Sequence, residues 1–272
     1  MTHSRLPVLF IPHGGGPCFF MDWTMGPKDT WDKTAAWFGQ IPALVGVKPK
    51  SILLISGHWE ETVFSVTTNS NPSLIYDYSG FPEHTYQIQY PAPGSPELAK
   101  TVYELLVSAG LPAALDSERG FDHGVFIPLK VAFPMADIPI VQLSLQAALD
   151  PATHIALGRI LAPLREKGVL IIGSGMSYHN LRGFFGAGVK EASDVFDEWL
   201  TEAVCVEDPQ FRNEKLAQWQ IAPSARSAHP REEHLLPLMV VAGAADQDVG
   251  EKLFSDRVMG STISAFGFGV KK

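Results

Sequence analysis

Cysteine is almost absent: Cys18 and Cys205 are the two in 272 residues. Two thiols cannot make a disulfide framework, and without a Cys-x-x-Cys pair they frame no thiolate zinc site. Both read as reduced thiols of a soluble, cytoplasmic protein. No window approaches the roughly 18 consecutive apolar residues of a membrane span. The N-terminus has only a short apolar run before His13, unlike a signal peptide. A basic surface is missing too. The formal net charge is −8 and no Lys/Arg cluster offsets it, which argues against nucleic-acid partners held through phosphates. The zinc-protease pattern His-Glu-x-x-His does not occur. Gly-x-Ser-x-Gly is also lacking. His13-Gly14-Gly15-Gly16 is similar to the oxyanion-hole loop of lipases, but Gly173-Ser174-Gly175 has the wrong spacing for a nucleophile elbow. The composition, 46% hydrophobic and 18% charged, leaves an ordinary globular chain and excludes wholesale disorder.

Three short apolar runs share one grammar. Val8-Leu9-Phe10-Ile11-Pro12-His13 opens into three glycines. Ser51-Ile52-Leu53-Leu54-Ile55-Ser56 stops at Gly57-His58-Trp59, and Val169-Leu170-Ile171-Ile172 leads through Gly173-Ser174-Gly175 to Tyr178-His179-Asn180. Short β-branched runs closed by turn residues read as buried strands. Three strands that each release a histidine into a glycine-rich turn suggest one shared rim, the place where open α/β sheets build their sites.

Between these runs the sequence punctuates helices. One begins near Asp29-Thr30-Trp31. Ser95-Pro96 starts another that Gly110 ends, and Asp150-Pro151 starts one that Gly168 closes. Further helices are predicted over 190–205, 209–218 and 232–245, and strands over 63–67, 138–143 and 262–268. From Asn69 to Ser95 prolines and glycines punctuate a long loop carrying Tyr76, Tyr78, Phe81, Tyr86 and Tyr90, a candidate lid or pocket wall. Strands alternating with helices give an α/β fold, and with no linker to split the chain they form one domain.

Of the nine histidines, His3 and His154 read as surface residues and His84 as a solvated loop residue. His13 and His58 each end a strand beside glycine. Either alone is an ordinary core histidine; their parallel placement points to a metal instead. His123 sits in Gly120-Phe121-Asp122-His123-Gly124, read as a turn in which Asp122 either caps the chain or holds the imidazole. His179 ends the third strand, and His229 and His234 lie at a helix start. Scattered histidines with nearby glutamates suit Zn, Fe, Ni or Cu, and residue types alone do not choose among them.

Taken together, Pro12-His13-Gly14-Gly15-Gly16-Pro17, Ser56-Gly57-His58-Trp59, Tyr90-Pro91-Ala92-Pro93-Gly94, Gly120-Phe121-Asp122-His123-Gly124, His179-Asn180-Leu181 and Glu233-His234-Leu235-Leu236-Pro237-Leu238 resemble the class III extradiol ring-cleavage dioxygenases, the LigB superfamily. The closest likeness within it is to the DOPA 4,5-dioxygenase branch. The resemblance runs in order from His13 to about Ala244. It implies a central mixed, largely parallel sheet flanked by helices in one catalytic domain over residues 1–272, and a non-haem Fe(II) enzyme that inserts O2 into a small aromatic diol and opens the ring beside the hydroxyls to a muconic semialdehyde. It also implies His13, His58 and His234 as metal ligands, with His179 as acid–base catalyst and a fourth ligand when Zn(II) fills the site. His123 matches a substrate-contacting histidine, and His229 and Tyr90 resemble pocket positions. The first loop departs from the usual His-Gly-Ser-Pro. The all-histidine set lacks the carboxylate of the usual facial triad, which favours capture of zinc. An inactive metal-binding module and a zinc-dependent hydrolase are the competing readings, and a homo-oligomer is left open.

Overall fold

The run Val8-Leu9-Phe10-Ile11 has no polar face, so a strand made from it must be covered on both sides. In the computed structural model, which describes residues 5–270, every residue of β1 (Val8–Pro12) is buried. Seven more strands follow: β2 (Ser51–Glu61), β3 (Phe64–Thr67), β4 (Ala113–Asp116), β5 (Ile140–Gln146), β6 (Val169–Gly175), β7 (Gly250–Val258) and β8 (Ser261–Phe268). They form one eight-stranded sheet in the order β4-β3-β5-β2-β6-β1-β8-β7. The central four, β5-β2-β6-β1, run parallel. β3 meets β5, and β8 meets β1 and β7, in antiparallel pairs. The expected single α/β domain with a mixed sheet is what forms.

Alternation along each central strand divides the core in two. Val8, Phe10, Leu53, Ile55 and Ile171 point to one face, covered by the helices Pro96–Ser108, Pro151–Leu161, Val189–Val204 and Leu236–Ala244. Leu9, Ile11, Ile52, Leu54 and Ile172 point to the other, covered by Asp32–Phe38, Ile41–Val45 and His123–Ala132. Ser95 and Asp150 cap their helices as predicted, each accepting a hydrogen bond from the third residue on (Leu98 and Thr153).

Several expectations need correction. β2 does not stop at Gly57 but continues through His58 to Glu61, with its register against β5 shifted between Ile55 and Glu60. His123 is the first residue of a helix rather than part of a turn. The helix expected from Glu232 begins only at Leu236. β4 and β7, edge strands with weaker apolar patterns, were not anticipated. His154 is fully buried instead of lying on the surface. Burial is tolerated because its Nδ1 donates to the Asp150 carbonyl and its Nε2 accepts from the Gln146 amide. His3 lies outside the described residues.

Candidate metal centre

Parallel strands leave their carboxyl ends on one rim, and backbone hydrogen bonds fix what emerges there. His13 follows β1, and its amide donates to the Gly175 carbonyl at the end of β6 (3.0 Å). His179 follows β6, its amide tied to the Ala228 carbonyl (2.9 Å). His234 precedes the helix Leu236–Ala244 and accepts from the Met176 amide (3.0 Å). Gly175 permits that approach, because a Cβ there would run into the His234 carbonyl oxygen. His58 projects from the irregular part of β2, where a register shift re-aims side chains.

Five imidazoles meet on this rim. Ring centroids separate His13 from His58 by 4.7 Å, from His234 by 5.1 Å and from His123 by 5.3 Å. His58 lies 4.0 Å from His123 and 4.7 Å from His234, and His179 stacks on His234 at 3.4 Å. Two carboxylates stand behind them. Oδ1 of Asp77 accepts from Nδ1 of His123 (2.8 Å) and from its amide (2.9 Å), and Oδ2 faces Nδ1 of His58 at 3.8 Å. Oε1 of Glu233 accepts from Nδ1 of His234 (2.9 Å) and faces Nδ1 of His179 at 3.3 Å. Carboxylates that hold one ring nitrogen fix the tautomer and turn the other nitrogen toward a metal or substrate.

The protonation pattern follows from this crowding. Burial, reinforced by the neighbouring imidazoles, holds His13 and His58 well below the ordinary histidine value. The same causes bring His234 to about 4. These rings are neutral at pH 7. Burial opposes the charge on Glu233, yet hydrogen bonds from His179 and His234 hold its carboxyl far below the usual range. Asp77 is lowered in the same way, burial being outweighed by its bonds from His123.

Nε2 of His58 and Nε2 of His234 then face each other at 3.3 Å, and both ring nitrogens of His13 are buried without a hydrogen-bond partner among the described residues. Neutral lone pairs aimed at one another want a cation between them. Two ligands at the roughly 2.1 Å of a metal–imidazole bond sit about 3.0–3.4 Å apart, so the observed separation suits a shared ion. Donor atoms of His13, His58 and His123 lie within 4.8 Å of one another, as do those of His179, Glu233 and His234. The cluster can hold a metal ion.

Comparison with known proteins points the same way. Residues 7–270 match the family described as the catalytic LigB subunit of aromatic ring-opening dioxygenase. The chain belongs to the LigB family. A 4,5-DOPA dioxygenase extradiol of Portulaca grandiflora is 45% identical over 207 residues, covering 74% of each chain. The protein of the same name from Beta vulgaris is 42% identical over 220 residues, covering 80% of this chain and 81% of that one. The crystal structure of an uncharacterised Escherichia coli K12 protein superposes with a TM-score of 0.78 at 31% identity, covering 97% of this chain and all of the other. Membership makes this LigB protein an extradiol ring-cleavage dioxygenase, an enzyme class that depends on a metal.

A cavity of about 380 Å³ opens over the cluster, with His13, His58, His123 and His179 on its floor and Trp23, Trp31, Tyr78 and Phe81 on its walls. Of the aromatic loop, only Tyr78 and Phe81 reach it. Tyr90 does not: it is buried in the core with its hydroxyl donating to the Phe133 carbonyl. His229 also lies off the lining. It is fully buried between Phe196 and Trp219, and its Nε2 donates to the Ser177 carbonyl (3.0 Å), which braces the segment carrying His179. Asp122 does not hold His123. Its carboxylate accepts from Ser56, Gln142 and Arg119, while its helix goes without a side-chain cap. Burial raises its pKa. Sequence reasoning missed Asp77 and Glu233 as partners of the histidines. Glu233 stood inside a recognised motif, but nothing in the sequence singled out Asp77.

Proposed function

We propose that this LigB enzyme is a non-haem Fe(II) extradiol dioxygenase whose ion is held by His13, His58 and His234, and whose substrate is a catechol. The observation that carries the ligand set is the facing Nε2 pair of His58 and His234 beside the doubly unpartnered His13. Held by these three imidazoles, Fe(II) would supply the redox chemistry that couples a catechol to O2. Both oxygen atoms enter the product, a muconic semialdehyde formed by cleavage beside the diol.

The chain's own residues handle the protons. His179 has Nδ1 turned to Glu233, which leaves Nε2 to take a hydroxyl proton as the catechol binds. The Glu233 carboxylate stabilises the imidazolium that forms. His123, its Nδ1–H held by Asp77, offers Nε2 to the substrate oxygen and so orients the diol. Tyr78 and Phe81 wall the aromatic ring off from water. The all-histidine set also takes Zn(II), in which case His179 serves as a fourth ligand.

Anaerobic reconstitution with Fe(II), followed by a panel of catechols and O2, tests the proposal. A yellow semialdehyde chromophore with stoichiometric O2 uptake is expected. Full iron occupancy without O2 uptake on any catechol would overturn the reaction, and full occupancy in His58→Ala would overturn the ligand set.

A further inference from the structure

Above the histidine floor the cavity wall changes character. Its mouth is formed by Met25, Leu181, Phe184, Phe185 and Met259. Three of these are large apolar side chains left in water, Met25 at 47%, Leu181 at 69% and Phe185 at 62% exposure. Scattered apolar residues on a surface need no explanation, but a group of them rimming a site marks a place that meets an apolar partner. Phe185 adds a second observation. It sits at φ 63°, a left-handed conformation that a bulky side chain adopts at a cost, and such strain gathers at ligand-binding positions.

The same wall carries no charged side chain among the described residues. Apart from imidazoles, no ionisable nitrogen is among the described residues that line the cavity, and the unpartnered donors there are the uncharged indole N–H groups of Trp23 and Trp31. Behind Phe185 and Met259, Lys33 is paired with Asp256 and Arg257 with Asp194. Arg182 follows Leu181 in the chain but is exposed and off the lining. A substituent carrying a carboxylate would lose its water here without gaining a countercharge.

We infer that the substrate of this enzyme is an uncharged catechol bearing an apolar substituent, which lies along Met25, Leu181 and Phe185, rather than an amino-acid or carboxylate-bearing catechol. The inference rests on the catechol reading of the floor and adds the class of its side chain.

Anaerobic binding is measured by tryptophan fluorescence with the full-length protein, both without metal and loaded with redox-inert Zn(II). The probes are 4-methyl- to 4-butylcatechol and 3,4-dihydroxyphenylalanine. Each methylene buried against the rim strengthens binding about fourfold, so butyl should exceed methyl by up to about sixtyfold. The amino-acid catechol should bind at least about tenfold more weakly than 4-butylcatechol. Leu181→Ala with Phe185→Ala should flatten the alkyl series, and Leu181→Arg should narrow the gap to the amino-acid catechol. A flat series in the wild type, or an amino-acid catechol bound as tightly as 4-butylcatechol, overturns the inference. Amino-acid binding that disappears in Arg182→Ala would identify the countercharge and overturn it as well. Aerobic kcat/KM values on the Fe(II) enzyme separate the two readings. A steep alkyl series without ring cleavage supports the apolar rim and refutes the reaction.

Discussion

His229 ties the stability of the protein to pH, and the size of the effect can be worked out. The ring is fully buried, and burial, partly offset by its bond to Ser177, lowers its pKa to about 3. In the unfolded chain it titrates near 6.5. A histidine whose folded pKa is depressed contributes full stability above pH 6.5 and loses it as pH falls toward the folded value, because the unfolded state takes up the proton first. At pH 5 the unfolded chain gains a factor of about 30 in protonation that the folded chain does not share, a loss of about 2 kcal/mol. At pH 4 the loss is about 3 kcal/mol. His229→Gln retains a donor for the Ser177 carbonyl and removes the titration. Urea unfolding of the metal-free protein at pH 8, 6, 5 and 4, wild type against variant, isolates the term, because the other buried histidines contribute equally to both. The variant should begin less stable at pH 8, and the difference should shrink by about 2 kcal/mol at pH 5 with an unchanged m-value. Parallel stability–pH curves would refute the reasoning.

The site carries three further predictions. Glu233→Gln removes the charge behind both His179 and His234 and should weaken Zn(II) binding about 10–100-fold in a chelator competition, the usual cost of losing such a partner; an unchanged affinity would leave Glu233 without that role. His179→Ala should keep Fe(II) and lose about 10²–10⁴-fold in turnover, and near-normal turnover with iron bound would reassign the base. His123→Phe should retain metal and bind catechol anaerobically while kcat falls more than binding weakens, since its imidazole acts as charge develops on the substrate; unchanged kcat in a folded variant would reduce it to a packing residue.

Much of this was legible in the chain because the deciding physics is local. Val8–Ile11 of β1 and Val169–Ile172 of β6 are apolar at every position, so only a strand covered on both faces accommodates them, and β6 begins and ends where the pattern says. Ser95 and Asp150 cap helices through bonds to residues three positions on. Histidines in the glycine-rich turns at the ends of β1 and β6 marked the rim. The motifs carried the family.

What only the tertiary structure decided involves partners remote in sequence. Asp122 is the neighbour of His123, yet the carboxylate that holds that ring is Asp77, brought across by the long aromatic loop, while Asp122 is drawn to Ser56, Gln142 and Arg119. Tyr90 shares that loop with Tyr78 but turns into the core, because its hydroxyl finds the Phe133 carbonyl. His154 is the exception whose partners are near in the chain: polar by type and buried in fact, since the Gln146 amide at the end of β5 and the Asp150 carbonyl satisfy both nitrogens. A sequence pattern records how far each residue prefers water. Which donor finds which acceptor depends on where loops from different strands cross above the sheet, and that is settled only when the whole chain has packed.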